Sequence, residues 1–332
     1  MGSTGFWKSA LAIFVRAFAL AASLLFHGAA GAQQWAPTQP IRVLIPYAPV
    51  GTSDIIGRLM SDRVAARLGQ PFVLENRPGG STQIATEIVA KSKPDGHTLL
   101  LVANTFMVNP ALFAKLPYDS DKDLAAVTYA GVTPHTLVVH PSLPVKNLRE
   151  FIAYGKANPG RLSYGSVGNG TSFHLGMEML KKQAGIFVVH IPYKGMGPVL
   201  TDLLSNQIQV AFANTPNAVP HVQAGKLRAI AMAHPSRMPQ LPDVATVDEQ
   251  GIKGFESNSA YIFLAPGATP AAILERLNAE FSGVLNEPAI RGELTKQGVE
   301  VMASSRAETT AFIRREMAKY AEAVKFSGAK VD

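Results

Sequence analysis

The chain reads as an α/β protein, and three observations carry that reading. Apolar runs of β-type composition alternate with amphipathic helical runs from Ile41 to the end. Short loops rich in glycine and hydroxyl residues join strand ends to helix starts. There is no cysteine, so the fold rests on its cores, without disulfides, thiolate metal sites or a cysteine nucleophile.

Residues 1–32 read as a signal peptide. Lys8 and Arg16 supply positive charge, Ala17 to Phe26 is apolar, and Ala30-Gly31-Ala32 forms a small-x-small cleavage site before Gln33. The apolar run is ten residues long, whereas a membrane span needs about 20. The mature chain is expected to start near Gln33 and to be exported, and an exported chain without cysteine fits a bacterial cell envelope. Residues 41–46 then read as a buried strand. Residues 55–68 read as a helix with Ile55, Ile56, Leu59, Met60, Val64 and Leu68 on one face, stopped by Gly69 and Pro71. Further strands are expected at 72–75, 97–103, 136–140, 162–164, 187–191, 208–213, 227–232 and 259–264. Asn158-Pro159-Gly160 is a turn. Thr269-Pro270 reads as an N-cap with proline at the first helical position, and Ser305 with Glu308 as a capping box. The alternation places helices on both faces of the sheets.

About 300 mature residues make two domains of ordinary size. Two stretches containing Gly or Pro, 131–134 and 254–260, look like crossings between them. Two crossings would return the C-terminal helices to the first domain. Domain 1 is then 33–134 plus 257–332, and domain 2 is 135–256, with a ligand between them. The formal net charge of +7 falls to +5 without the signal peptide. That field suits either solubility or the steering of anions. No Lys/Arg run is interleaved with aromatics, which argues against nucleic acid.

The loop Pro46-Tyr47-Ala48-Pro49-Val50-Gly51-Thr52-Ser53-Asp54 joins the first strand to the first helix. Gly51 is conformationally permissive, Thr52 and Ser53 offer hydroxyls and N–H groups, and Asp54 can cap the helix. Such a loop turns N–H groups and a positive helix end toward an anion. It is also what an ordinary strand-to-helix turn looks like. A second loop, from Tyr164 through Gly165, Ser166, Gly168, Asn169, Gly170, Thr171 and Ser172 to His174, has the same chemistry. Its G-x-x-G-x-G spacing is the reverse of the dinucleotide fingerprint, and it lacks a P-loop lysine. The two loops together could clamp one carboxylate. Asn214 and Thr215, at the end of a later strand, could meet its far end. Tyr193 is expected to pack and Lys194 to be solvated. There is no G-x-S-x-G elbow, no H-E-x-x-H and no Cys/His cluster, so no enzyme, metal or cofactor is expected. His174 beside Ser166 and Ser172 would suit a hydrolase, but a packed or capping role is commoner for a histidine there.

At this point the chain resembles the periplasmic solute receptors of tripartite tricarboxylate transporters, the Bug receptors. The matching stretches run in order from Pro40-Ile41-Arg42-Val43-Leu44-Ile45-Pro46-Tyr47-Ala48-Pro49 through Glu75-Asn76-Arg77-Pro78-Gly79 and Pro94-Asp95-Gly96-His97. They continue through His140-Pro141-Ser142-Leu143-Pro144 and His190-Ile191-Pro192-Tyr193-Lys194-Gly195 to Gly225-Lys226-Leu227-Arg228-Ala229. The resemblance implies a two-domain periplasmic-binding-protein fold, Venus-flytrap and type II-like, with two interdomain crossings. It implies a receptor that holds a small organic carboxylate between its domains and delivers it to the membrane permease subunits of a tripartite transporter. N–H groups of 50–54, with Ser166, Thr171 and Ser172, would then grip the carboxylate. The family's second loop also carries over to Gly168, Gly170 and His174. Tyr47, Asn214 and Thr215 would shape the far end. A monomer is expected.

The chain departs from the family pattern at Val50, where a glycine is usual, and at Gly80-Ser81-Thr82-Gln83. It departs again at Ala213 in place of an acid and at Ala260 in place of an aromatic. The last two predict a different distal group on the ligand. Two rivals use the same residues: a ligand-sensing partner of a membrane histidine kinase, and an envelope hydrolase built on His174.

Overall fold

The structure is a computed structural model that describes residues 35–49 and 51–330. The expected signal peptide, residues 1–32, and Val50 lie outside the described residues. The described residues from Ala36 to Lys330 form one unit.

The chain opens with β1 (Ile41–Ile45), α1 (Thr52–Leu68), β2 (Phe72–Asn76), a short 3-10 turn at Gly80–Thr82, α2 (Gln83–Ala90), β3 (Thr98–Val102) and α3 (Thr105–Leu112). β1 is buried on both faces because it lies between β2 and β3, parallel to both. α1 starts three residues earlier than its apolar face indicates, with Gly51 as N-cap and Asp54 in the first turn. It ends where expected. Gly69 is left-handed, with φ 73°, and its N–H returns to the Ala65 carbonyl.

β4 (Leu124–Val139) is the longest strand described, and only its last part was expected. It is followed by α4 (Leu148–Ala157), β5 (Ser163–Ser166), α5 (Ser172–Ala184), β6 (Val189–Pro192), α6 (Met196–Leu204), β7 (Val210–Asn214), α7 (Thr215–Gln223) and β8 (Arg228–Met232). β9 (Asn258–Pro266), α8 (Ala271–Leu285), α9 (Pro288–Lys296), β10 (Glu300–Val301) and α10 (Arg306–Ser327) complete the described chain. The capping box at Ser305 and Glu308 is present in full. The Thr269-Pro270 start is corrected: Pro270 is itself the N-cap, and the buried Thr269 hydroxyl makes no hydrogen bond.

The sheet runs β2-β1-β3-β9-β4-β7-β5-β6, with β8 and β10 also pairing to β4. β4 and β9 are antiparallel, and the two stretches read as crossings are hydrogen-bonded neighbours there: Thr133 lies opposite Ser259, and Pro134 opposite Asn258. Beyond Pro134, β4 exchanges β9 for β7, with His135 opposite Asn214. One core gathers Leu44, Leu100, Phe106, Tyr129, Ile262 and Tyr320; another gathers Leu137, Phe151, Tyr164, Phe173 and Phe212.

Candidate functional site

Five parallel strands, β1, β3, β5, β6 and β7, are each followed by a helix, and all five strand-to-helix turns open on one cavity of about 560 Å³. This is where open α/β sheets bind ligands, beyond the carboxyl ends of their strands. The lining includes every one of the five N-caps: Gly51 of α1, Asn104 of α3, Thr171 of α5, Gly195 of α6 and Asn214 of α7. Each helix start brings N–H groups without a partner in their own helix, and together the dipoles sum to a positive potential. No Lys, Arg, His, Asp or Glu lines the cavity among the described residues. Ile55, Val167, Phe173, Met196 and Pro216 supply apolar wall.

The first turn contributes Tyr47, Gly51, Thr52 and Ser53. Tyr47 is fixed from two sides. Its hydroxyl accepts the Ala103 N–H at 3.0 Å, and its carbonyl accepts from Asn76 Nδ2 at 3.1 Å. Burial pushes its phenol up, so it stays neutral. Asp54 is buried and does not line the cavity; Arg58, four residues on, donates two hydrogen bonds to it, at 2.8 and 3.1 Å.

The second turn contributes Thr171 and Ser172, with Val167 and Phe173. Ser166, Gly168, Asn169 and His174 do not reach the cavity. Ser166 is fully buried, and its hydroxyl is already engaged by His190 at 2.7 Å and by the Gly168 carbonyl and N–H. It therefore holds the shape of the turn rather than gripping a ligand. Gly168, with φ 128°, offers its carbonyl to Thr171 Oγ1 at 2.8 Å. Asn169 is exposed. His174 Nδ1 accepts the Gly170 N–H at 3.0 Å, and its ring stacks on His190 with centroids 4.0 Å apart. Burial, then Lys181, pushes His174 down to about 4; burial, then His174, pushes His190 down to about 3. Both are thus neutral props, and no serine hydroxyl is bonded to His174 as a hydrolase would require.

The third turn contributes Asn214, Pro216 and Asn217. Thr215 is buried away from the cavity, its hydroxyl on the Pro134 carbonyl at 2.9 Å and on Thr136 at 3.0 Å. Ala213 and Ala260 are fully buried and line nothing in the cavity. Side chains alternate along a strand, so Ala213 faces away from Asn214's side and Ala260 away from Tyr261's. The expectation that these two alanines alter the distal end of the pocket is corrected accordingly. The aromatic at this point is Tyr261, which is buried among the polar side chains of Thr133, Thr52, Ser259 and Asn214. Tyr193 packs, its hydroxyl on Asp202 at 2.7 Å, and Lys194 is exposed.

Sequence reasoning missed Asn104, Thr105, Met196, Asn217, Ser259, Tyr261 and Gln297. For Asn104 and Thr105 a signal existed: they sit at a strand-to-helix turn like the first, although that turn has no glycine. Asn104 is buried and rigidly set, donating to the Tyr320 hydroxyl at 2.9 Å and accepting the Ala260 N–H at 2.7 Å.

Residues 56–328 match the family described as the tripartite tricarboxylate transporter family receptor. Protein BugT of Bordetella pertussis is 32% identical over 297 residues, which cover 89% of this chain and 91% of that one. Two solved structures are similar throughout. R. palustris Rpa4515 with adipate has 30% identity and a TM-score of 0.78, covering 89% of this chain and 99% of that one. MatC from Rhodopseudomonas palustris with bound malate has 31% identity and a TM-score of 0.75, covering 87% of this chain and 99% of that one.

Proposed function

This chain belongs to the tripartite tricarboxylate transporter receptor family, and on that premise we propose that it captures a small organic carboxylate in the cavity between β1, β3, β5, β6 and β7 and passes it to membrane permease subunits. The observation that carries the proposal is the convergence of five helix starts on one cavity whose described lining has no Lys, Arg, His, Asp or Glu. Such a cavity attracts anions by main-chain dipoles alone. N–H groups at Gly51, Thr52 and Ser53 and the hydroxyl of Ser172 hold the carboxylate, each charge-assisted bond contributing about 1.5–3 kcal/mol, while the Thr171 hydroxyl, which donates to the Gly168 carbonyl, shapes the turn beside it. Asn214 and Tyr261 meet the far end. Ser166, Gly168 and His174 keep the second turn in shape, and Thr215 ties the third to β4.

In this reading domain 1 is 33–134 plus 257–332 and domain 2 is 135–256, which fits the exchange of β9 for β7 along β4 at Pro134 and His135. The protein works as a periplasmic monomer released from its signal peptide near Ala32 and Gln33. Both neighbouring structures named above hold dicarboxylates, so adipate and malate are the first probes, with citrate and benzoate beside them. Thermal-shift titration is the test. A ligand at 100 times its Kd stabilises the fold by about 2.7 kcal/mol, a clear rise in melting temperature. A folded protein whose melting temperature ignores all four acids at millimolar concentration would refute the proposal.

A further inference from the structure

His135 is fully buried at the point where β4 changes partner, and it belongs to no turn that the carboxylate reading uses. Its Nδ1 is 2.9 Å from Ser257 Oγ and its Nε2 is 3.2 Å from Ser259 Oγ. Ser259 Oγ is 3.1 Å from Asn214 Oδ1, and Asn214 lines the cavity. The ring also stacks on Phe173, a cavity residue, with centroids 4.2 Å apart. One imidazole therefore touches both strands of the crossing and is linked to two walls of the pocket.

The four groups can be wired in two ways. With the proton on Nδ1, the ring donates to Ser257, which must pass its own hydrogen to the Ser172 carbonyl at 3.5 Å, the limit of a hydrogen bond. Nε2 then accepts from Ser259, and Asn214 is turned with its oxygen to the cavity. With the proton on Nε2, Ser257 donates to Nδ1 over 2.9 Å, the ring donates to Ser259, and Ser259 donates to Asn214 Oδ1. Every hydrogen then has a partner at 3.2 Å or less. The amide nitrogen of Asn214 is left on the side of the Tyr261 hydroxyl and the cavity. A neutral ring is required in either case. Burial, then Lys319, pushes His135 down to about 3.

We infer that His135 is a positioning residue: as the Nε2–H tautomer it sets Asn214 with its amide nitrogen toward the cavity, so the ligand end that meets Asn214 must carry a hydrogen-bond acceptor. The statement about the ligand rests on the carboxylate reading; the statement about the relay does not. A second carboxylate or a carbonyl satisfies the amide, whereas an ammonium group leaves two donors facing each other.

The test has two arms on the full-length folded protein. Nitrogen-15 NMR of the histidine rings at pH 7 reads the tautomer without any ligand. A His135 signal of the Nε2–H form supports the relay; the Nδ1–H form or a charged ring overturns it. Calorimetry then compares adipate with 6-aminohexanoate, acids of equal chain length that differ at the far end. Wild type is expected to prefer adipate by about tenfold or more. His135→Leu, which cannot donate to Ser259, should shrink that ratio toward one. His135→Gln, whose amide nitrogen reaches the Nε2 position, should restore it. An unchanged ratio in His135→Leu overturns the proposal, and should that variant not fold, a His135→Gln ratio near one does so instead. An Nε2–H ring in a protein that binds neither acid supports the relay and refutes the carboxylate reading.

Discussion

Gly176 sits in the interior of α5, where alanine would ordinarily stabilise the helix by up to about 1 kcal/mol. Here the sign should reverse. A Cβ at Gly176 would lie 2.1 Å from Ser257 Oγ and 3.0 Å from Ser257 Cβ. A rotation of the hydroxyl relieves the first contact only by breaking the Ser257–His135 hydrogen bond, worth about 1 kcal/mol. The second contact involves an atom that cannot rotate away, and overpacking of this kind costs about 1–3 kcal/mol. Set against the helix gain, Gly176→Ala should destabilise the protein by about 1–3 kcal/mol. Gly292 provides the control. It lies exposed within α9, and a Cβ there would meet nothing within 4 Å. Gly292→Ala should therefore stabilise by up to about 1 kcal/mol. Reversible urea unfolding followed by circular dichroism measures both. If Gly176→Ala proves as stable as wild type while Gly292→Ala shows its gain, the packing of α5 on Ser257 is wrong, and the relay through His135 loses its anchor.

Two more predictions concern the second turn. His174 is held neutral in the folded protein, with its ionisation pushed down to about 4, whereas in the unfolded chain it would titrate near 6.5. Between those values the unfolded state binds more protons, so this contribution is complete above about pH 6.5 and is lost as pH falls toward 4. At pH 5 the loss from His174 is about 2 kcal/mol. Denaturant titrations at pH 7 and pH 5 should show it, and a His174→Asn variant should lose less stability over that interval. Thr171 caps α5 by accepting the His174 N–H and also faces the cavity. Thr171→Ala removes this cap and the bond to the Gly168 carbonyl and should cost about 1 kcal/mol of stability, while Thr171→Ser retains both bonds. Urea unfolding measures it, and an unchanged midpoint in Thr171→Ala would refute the role of the cap.

The first strand, loop and helix were legible because each signal is local. The apolar period from Ile55 to Leu68, the left-handed Gly69 and the capping box at Ser305 act within a few residues of chain. β4 was only partly legible because Gly131 and Pro134 read as breaks. In the fold Gly131 is present because β10 lies across it: a Cβ would stand 2.6 Å from the Glu300 carbonyl. That contact spans more than 160 residues and leaves no local trace. The same holds for the site. Gly51, Thr52, Ser53, Thr171, Ser172 and Asn214 announce themselves as strand-to-helix turns and meet in one cavity. Ser166 and Thr215 carry the same chemistry but point into the cores, and only the pleat of β5 and the pairing of β4 with β7 decide that. Tyr261 and His135 became visible only when β9 was laid beside β4.

A basin built from peptide dipoles cannot be switched off by protonation. Its described walls hold no carboxylate, amine, guanidinium or imidazole, and burial keeps the phenols of Tyr47 and Tyr261 neutral, so its attraction for an anion persists for as long as the five helices do. Side-chain exchanges at Ile55, Val167, Met196 or Pro216 can then recut the outline of the guest without touching what holds its charge.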